Sequence, residues 1–349
     1  MIKKIKEYHL EIDLARGIAI FVMIIQHGWV MFANAPVANS LVGAVMVLLG
    51  TVPAAPVFLF LMGMNVINSQ RSTPRRLFFR GLKLVGLGYV LSAVRFFLPI
   101  VIGQQLGLVN PAEVAYQWPP IQYLFQVDIL QVAGLSLMGI AFLKHQQVKY
   151  SNYVLFALIV ALISPLMWQI NFSSETLKYL FDPFFGTGIY VAFPFFSWFV
   201  YPLVGVYFGS LLKQAKNKAE FYRQAIKKLP GLIIAGIFLS FFSVNSEFSV
   251  YYHHGIGASF LFIAFVVAWL SIIHFNHHLL LPRVRDKLVF WSRNVTLIYC
   301  LQWIVIGWLA VFGHFYLSYL PLLIFIIVLL LACDFLTKKL QFINSWGKR

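Results

Sequence analysis

The chain has 349 residues, 60 % apolar and only 11 % charged, with a mean hydropathy of +0.81. A soluble domain carries about 25 % charged residues, so these values exclude a globular protein held by one anchor and describe a chain that is mostly membrane-embedded. A formal charge of +16 would suggest nucleic acid in a soluble protein. Here the basic residues lie between apolar runs and read as topology signals and contacts to anionic lipid, with no nucleic-acid partner.

The first apolar run, about 14–33, is the most informative. It carries Asp13 and Arg16 at its start and Gln26 and His27 deep inside. Lys3, Lys4 and Lys6 before it and Ala33-Asn-Ala35 after it resemble a signal peptide. The run is too long and too polar for that role, so it is expected to be retained as a span. Ionisable groups at membrane depth are costly and usually face a protein interior or a wet cavity. Arg16 and His27 are 11 residues apart, which on a helix means within about 20° of one face and roughly 16 Å of rise. Asp13 stands three residues before Arg16 and can pair with it.

With about 20 residues needed per span, nine further runs follow, near 54–69, 77–99, 121–143, 151–170, 188–212, 230–245, 256–275, 294–312 and 317–337. The apolar stretch 34–53, broken by Pro36, Gly43, Gly50 and Pro53, reads as a re-entrant piece or an extra short span. Basic residues cluster at 3–16, 71–83, 144–149, 213–228, 283–293 and 338–349. These clusters hold 25 of the 27, and only Arg95 and Lys178 fall elsewhere. A miscounted span would scramble that segregation, so it predicts an even number of spans with both ends in the cytoplasm. The expected fold is an all-α polytopic membrane helix bundle of about ten transmembrane helices, one membrane domain over 1–349. No repeat, low-complexity tract or soluble domain is visible, and no metal-ligand spacing surrounds Cys300 and Cys333. The Gly205–Gly209 spacing permits close helix contact.

Of nine histidines, His27 is the one well inside a predicted span. It reads either as a packing residue hydrogen-bonded across the bundle or as a general base for a hydroxyl or amine. Arg95 falls near the outer end of its span and Asp128 about eight residues into the next, antiparallel one, with Gln131 one turn deeper. An ion pair that closes the bundle and a role in acceptor binding or in orienting His27 both fit. Asn65, Asn294 and Gln302 read as helix-joining amides, and the His253-His254 pair reads as exposed loop. Asp334 is expected to pair with Lys338.

The run Glu11-Ile-Asp13-Leu-Ala-Arg16-Gly17 followed by His27 resembles the first helix of the transmembrane acyltransferase superfamily, with the Arg-to-His spacing of its acyltransferase-3 branch. Four later blocks resemble the heparan-α-glucosaminide N-acetyltransferase branch: Pro53 to Gly63, Arg75 to Lys83, Val127 to Leu135 and Trp291 to Tyr299. In that branch the active histidine follows the first helix. Residues 34–53 hold none, so assigning the role to His27 leans on the acyltransferase-3 pattern.

The resemblance implies a multi-pass enzyme of a bacterial cytoplasmic membrane. It would take acetyl-CoA or another acyl-CoA from the cytoplasm and pass the acyl group to an extracytoplasmic sugar or glycan, without a metal. It places His27, Arg16 and Asp13 in catalysis. Coenzyme phosphates would fall to Arg75, Arg76, Arg80 and Lys83, where Thr73 can cap a helix that starts at Pro74. Asp128, Gln131 and Arg95 would serve the acceptor. The rival readings are a proton-coupled transporter or flippase that uses the same polar residues, and a non-catalytic scaffold.

Overall fold

A computed structural model describes residues 9–69, 72–109, 119–168, 170, 172–186, 190–243, 251–312 and 316–346. Lys3, Lys4, Lys6, Gln70, Arg71, Lys348 and Arg349 lie outside the described residues. The described residues form helices and no strand; two isolated bridges, Ala33 with Leu317 and Val127 with Val191, tie loops to helix ends.

Helix α1 spans Leu10–Phe32. The stretch after it is built by side-chain caps. Asn34 accepts from the Val37 amide to start α2 (Ala35–Ala38), and Ser40 accepts from the Gly43 amide to start α3 (Leu41–Thr51). Beyond a short break comes α4 (Ala55–Asn68). Together α3 and α4 make one membrane-spanning candidate, Leu41–Ile67. By length and composition, most of the stretch 34–53 thus falls in the same candidate span as α4, with the short α2 before it.

Thr73 accepts from the Arg76 amide, with Pro74 at the first position of α5 (Pro74–Ser92). A π-helical turn, Ala93–Phe97, leads straight into α6 (Leu98–Gln105). Pro99 explains the turn: it has no N–H to give the Arg95 carbonyl, and its ring crowds that oxygen. The short α7 (Pro120–Leu124) precedes α8 (Ile129–His145) and α9 (Asn152–Met167). Then come α10 (Glu175–Phe185), α11 (Phe195–Trp198), α12 (Val200–Gln214), α13 (Lys218–Ser240) and α14 (Ile256–Asn276). The chain closes with α15 (Pro282–Arg293), α16 (Val295–Phe312) and α17 (Tyr319–Trp346).

The helical class is as expected, but the count of about ten spans is not reached by length and composition. Six described helices are long and apolar enough, and the bent pair of α15 and α16, with 83° between them, could make a seventh. Two expected spans became α8 and α9, apolar but only 17 and 16 residues long. Another is the apolar second half of α13, whose first half is charged. Hydropathy sees the apolar run; caps and charges decide how much of it becomes one long apolar helix.

Helix α5 packs on α8, α12 on α4, α13 on α14, and α1 on α15. Gly205 of α12 sits against the Phe60 carbonyl of α4, where an added Cβ would lie 2.1 Å from the oxygen. The small-residue spacing thus does join two backbones. One core cluster gathers α4, α9, α12 and α14 around the first half of α1, and a second gathers α16 and α17 around its second half. Phe58, Leu84 and Ile129 pack against both, and all three line a cavity between them.

Candidate active site

The cavity holds about 650 Å³. Helix α1 contributes Arg16, Met23 and His27 to its wall, one helical face as the spacing predicts. At one end stand Arg16, Arg80, Ser292 and Arg293, with Asn65 and Ser69 from the end of α4. His27, Thr51, Arg95, Gln126, Tyr251 and Tyr252 line the part removed from that basic end. The rise along α1 separates the Arg16 and His27 positions by roughly 16 Å.

The basic end is tied together where α15 stops. Ser292 donates to Asp13 at 2.7 Å, and Arg16 Nη1 donates to Ser292 at 3.1 Å and to Asp13 at 3.5 Å. Nη2 of Arg16 is buried without a partner. Next to it the chain turns by 83° from α15 into α16 at Asn294. The Asn294 side chain donates to the Phe290 carbonyl and accepts from Gln341, and the first residues of α16, Val295 and Thr296, line the cavity. Backbone N–H groups at a helix start favour anions. Of the expected coenzyme residues, Arg80 reaches the cavity. Arg75, Arg76 and Lys83 are exposed on α5 and are not among its lining, with the Arg75 guanidinium 5.9 Å from the Phe79 ring.

At the far end His27 is half-buried and lines the cavity. Its Nδ1 lies 3.1 Å from Nε2 of Gln302. Its ring is 4.3 Å from Trp303 and 6.4 Å, edge-on, from Tyr299. Tyr299, Gln302 and Trp303 fall one turn apart on one face of α16 and clamp the imidazole. Beside them Arg95, 1 % exposed, gives Nη2 to Asp128 Oδ2 at 2.6 Å, and its guanidinium lies 4.6 Å from the Trp303 and Phe96 rings. Arg95 lies within the π turn and is buried, while much of the neighbouring α5 surface is exposed.

Asp128 does three things at once. It pairs with Arg95, accepts from the Tyr299 hydroxyl at 2.7 Å, and caps α8. Gln131 completes the capping box, accepting from the Asp128 amide and donating to the Gln126 carbonyl. The structure thus brings Arg95 and Asp128 to the cavity wall, and puts Gln131 behind it as a helix-start residue.

His253 and His254 are 2 % and 0 % exposed, not a solvent loop. Nε2 of His254 meets the Tyr201 hydroxyl at 2.6 Å, and Trp198 donates to the Tyr252 carbonyl. With Tyr251 bonded to the Thr51 carbonyl, these contacts hold the two tyrosines against the cavity. Asp334 pairs with Lys338 at 3.0 Å and also with Lys287 at 2.5 Å. Gln302 joins α16 to α1, as expected of a helix-joining amide; sequence reasoning missed Arg293 as a lining residue and the contacts of Tyr299 and Trp303 with His27. The signal for Arg293 and Tyr299 was the Trp291 to Tyr299 block, which no spacing rule connects to His27.

A helix bundle of membrane type with a cavity that is basic at one end and has an imidazole on its wall defines the class of the fold and site. Residues 9–243 match the family described as heparan-alpha-glucosaminide N-acetyltransferase, catalytic, and the chain belongs to that acetyltransferase family. No curated protein matches the chain. The match ends before α14, so the wall supplied by α15 and α16 is known from the structure alone.

Proposed function

We propose that the protein transfers an acetyl group from acetyl-CoA, entering at the basic end from the cytoplasm, to a hydroxyl or amine of a sugar presented from outside. One observation carries this reading: Arg16 and His27 line the same cavity, about half a ~30 Å hydrocarbon core apart. An extended pantetheine arm spans that distance. The donor fits the residues present. Three arginines and the first residues of α16 line that end, and a buried Arg16 N–H is unspent, which suits phosphate oxygens. Arg16 and Asp13 then serve the donor end rather than the reacting atoms. Arg75, Arg76 and Lys83, outside the cavity, would attract the polyanion from a distance.

His27 takes the proton from the acceptor hydroxyl or amine as that atom attacks the thioester carbonyl. The carbon–sulfur bond breaks, and the proton passes to the departing thiolate, leaving free thiol and acetylated acceptor. Aromatic faces of Tyr252 and Trp303 at the same end suit the apolar face of a sugar ring. Arg95 and Asp128 hold the wall that the acceptor meets.

The test is acetyl transfer by purified His27→Ala protein. Loss of a general base costs about 10²- to 10⁴-fold, with the elution profile of the folded protein unchanged. Full transfer by that variant refutes the site.

A further inference from the structure

The contact between Gln302 and His27 has a chemical direction. Neutral imidazole carries one N–H and one lone pair. Nδ1 of His27 is held by Gln302, and Nε2 has no protein partner among the described residues. The nitrogen that can meet an acceptor is therefore Nε2, and it is a base only when the proton sits on Nδ1.

Gln302 is 0 % exposed, and its Oε1 is buried without a partner when its Nε2 faces the imidazole. That orientation makes Nδ1 the acceptor and places the proton on Nε2, which leaves no lone pair for the cavity. Turning the amide by 180° exchanges oxygen and nitrogen in nearly the same positions. Oε1 then accepts from Nδ1–H, the amide nitrogen takes the oxygen's former place, and the lone pair on Nε2 of His27 is free. The turned orientation is also the one compatible with catalysis. An imidazolium donates from both nitrogens, so an amide N–H group facing Nδ1 would oppose its formation, whereas a carbonyl oxygen there gains a charge-assisted bond.

We infer that Gln302 is a positioning residue that holds His27 in the Nδ1–H tautomer and leaves Nε2 as the base. The chemistry rests on the function proposed above; the tautomer does not. Tyr299 and Trp303 fix the ring plane while Gln302 fixes the proton, so one face of α16 sets both.

The experiment is ¹⁵N spectroscopy of the full chain in detergent, labelled at histidine, with the His27 signals assigned by their loss in His27→Gln. At neutral pH the wild type should show a protonated Nδ1 and an unprotonated Nε2, and Gln302→Leu should show a mixture of tautomers. An Nε2–H tautomer in the wild type, or an unchanged tautomer in Gln302→Leu, overturns the inference.

Kinetics supply a second readout. Gln302→Leu should lower kcat by at least ~10-fold with the KM for acetyl-CoA unchanged. Gln302→Glu, which keeps an acceptor on Nδ1, should recover turnover and move the acid limb of the kcat profile to higher pH, because a carboxylate favours the imidazolium. A merely structural glutamine would lower folded yield in both variants and leave the pH profile of the surviving protein in place; that result also overturns the inference. Full activity of His27→Ala defeats the functional reading while leaving the spectroscopic test intact. An inactive His27→Ala with an Nε2–H wild type defeats this inference alone.

Discussion

Asp128→Ala probes the buried pair that braces the site. Arg95 is 1 % exposed, and its partner oxygen lies 2.6 Å away. Removing one member of a buried pair strands the other charge and costs about 3–5 kcal/mol. Loss of the α8 cap adds about 1 kcal/mol, and the Tyr299 hydroxyl also loses its acceptor. The sum, about 4–6 kcal/mol, is comparable to the whole stability of many domains, about 5–15 kcal/mol. Asp128→Ala should therefore show a sharply lowered apparent Tm, followed as loss of the monodisperse peak when detergent-solubilised protein is heated. Arg95→Leu should be similarly harmed, because it leaves a carboxylate uncompensated. The double variant removes both charges, so its cost should fall short of the summed single costs by about 1–3 kcal/mol. A wild-type Tm for Asp128→Ala, or strict additivity in the double variant, would refute the claim that the two side chains form one buried unit.

Other outcomes follow from the same geometry. Replacing Arg80 and Arg293 together by Ala should raise the KM for acetyl-CoA and leave kcat within a few-fold, measured with saturating acceptor; an unchanged KM removes the phosphate assignment at the mouth. Gly307→Ala should cost about 1–3 kcal/mol or more in thermal stability, because the new Cβ would lie 1.8 Å from the Arg95 carbonyl oxygen; wild-type stability would mean that α16 does not seat there. Vesicles that hold the protein should not accumulate labelled sugar without acetyl-CoA, and accumulation would favour a transporter.

Part of the molecule was legible in one dimension. Apolar runs, the segregation of basic residues and the periodicity that joins Arg16 to His27 depend on spacing along a helix. They announced a membrane bundle and the polar face of α1 without any partner. The Thr73 and Pro74 start of α5 and the Asp13–Arg16 pair are likewise local, and both are present in the structure. Pairings between distant segments were open. Arg95 with Asp128 appeared only as one option, since nothing local says which antiparallel helix will face the π turn.

What tertiary structure alone decided is the environment of each polar group. Gln302 read as a joining amide with no named partner until α16 was laid beside α1, and Arg293 was one basic residue among many until the bend at Asn294 turned it into the cavity. His253 and His254 looked exposed because loop residues usually are; packing against Tyr201 and Trp198 buried them. The division has a physical cause. Helix formation and membrane partition are summed over neighbours in sequence. The chamber exists only where two core clusters meet along α1, and that meeting is fixed by side-chain volume and backbone approach between helices far apart in the chain.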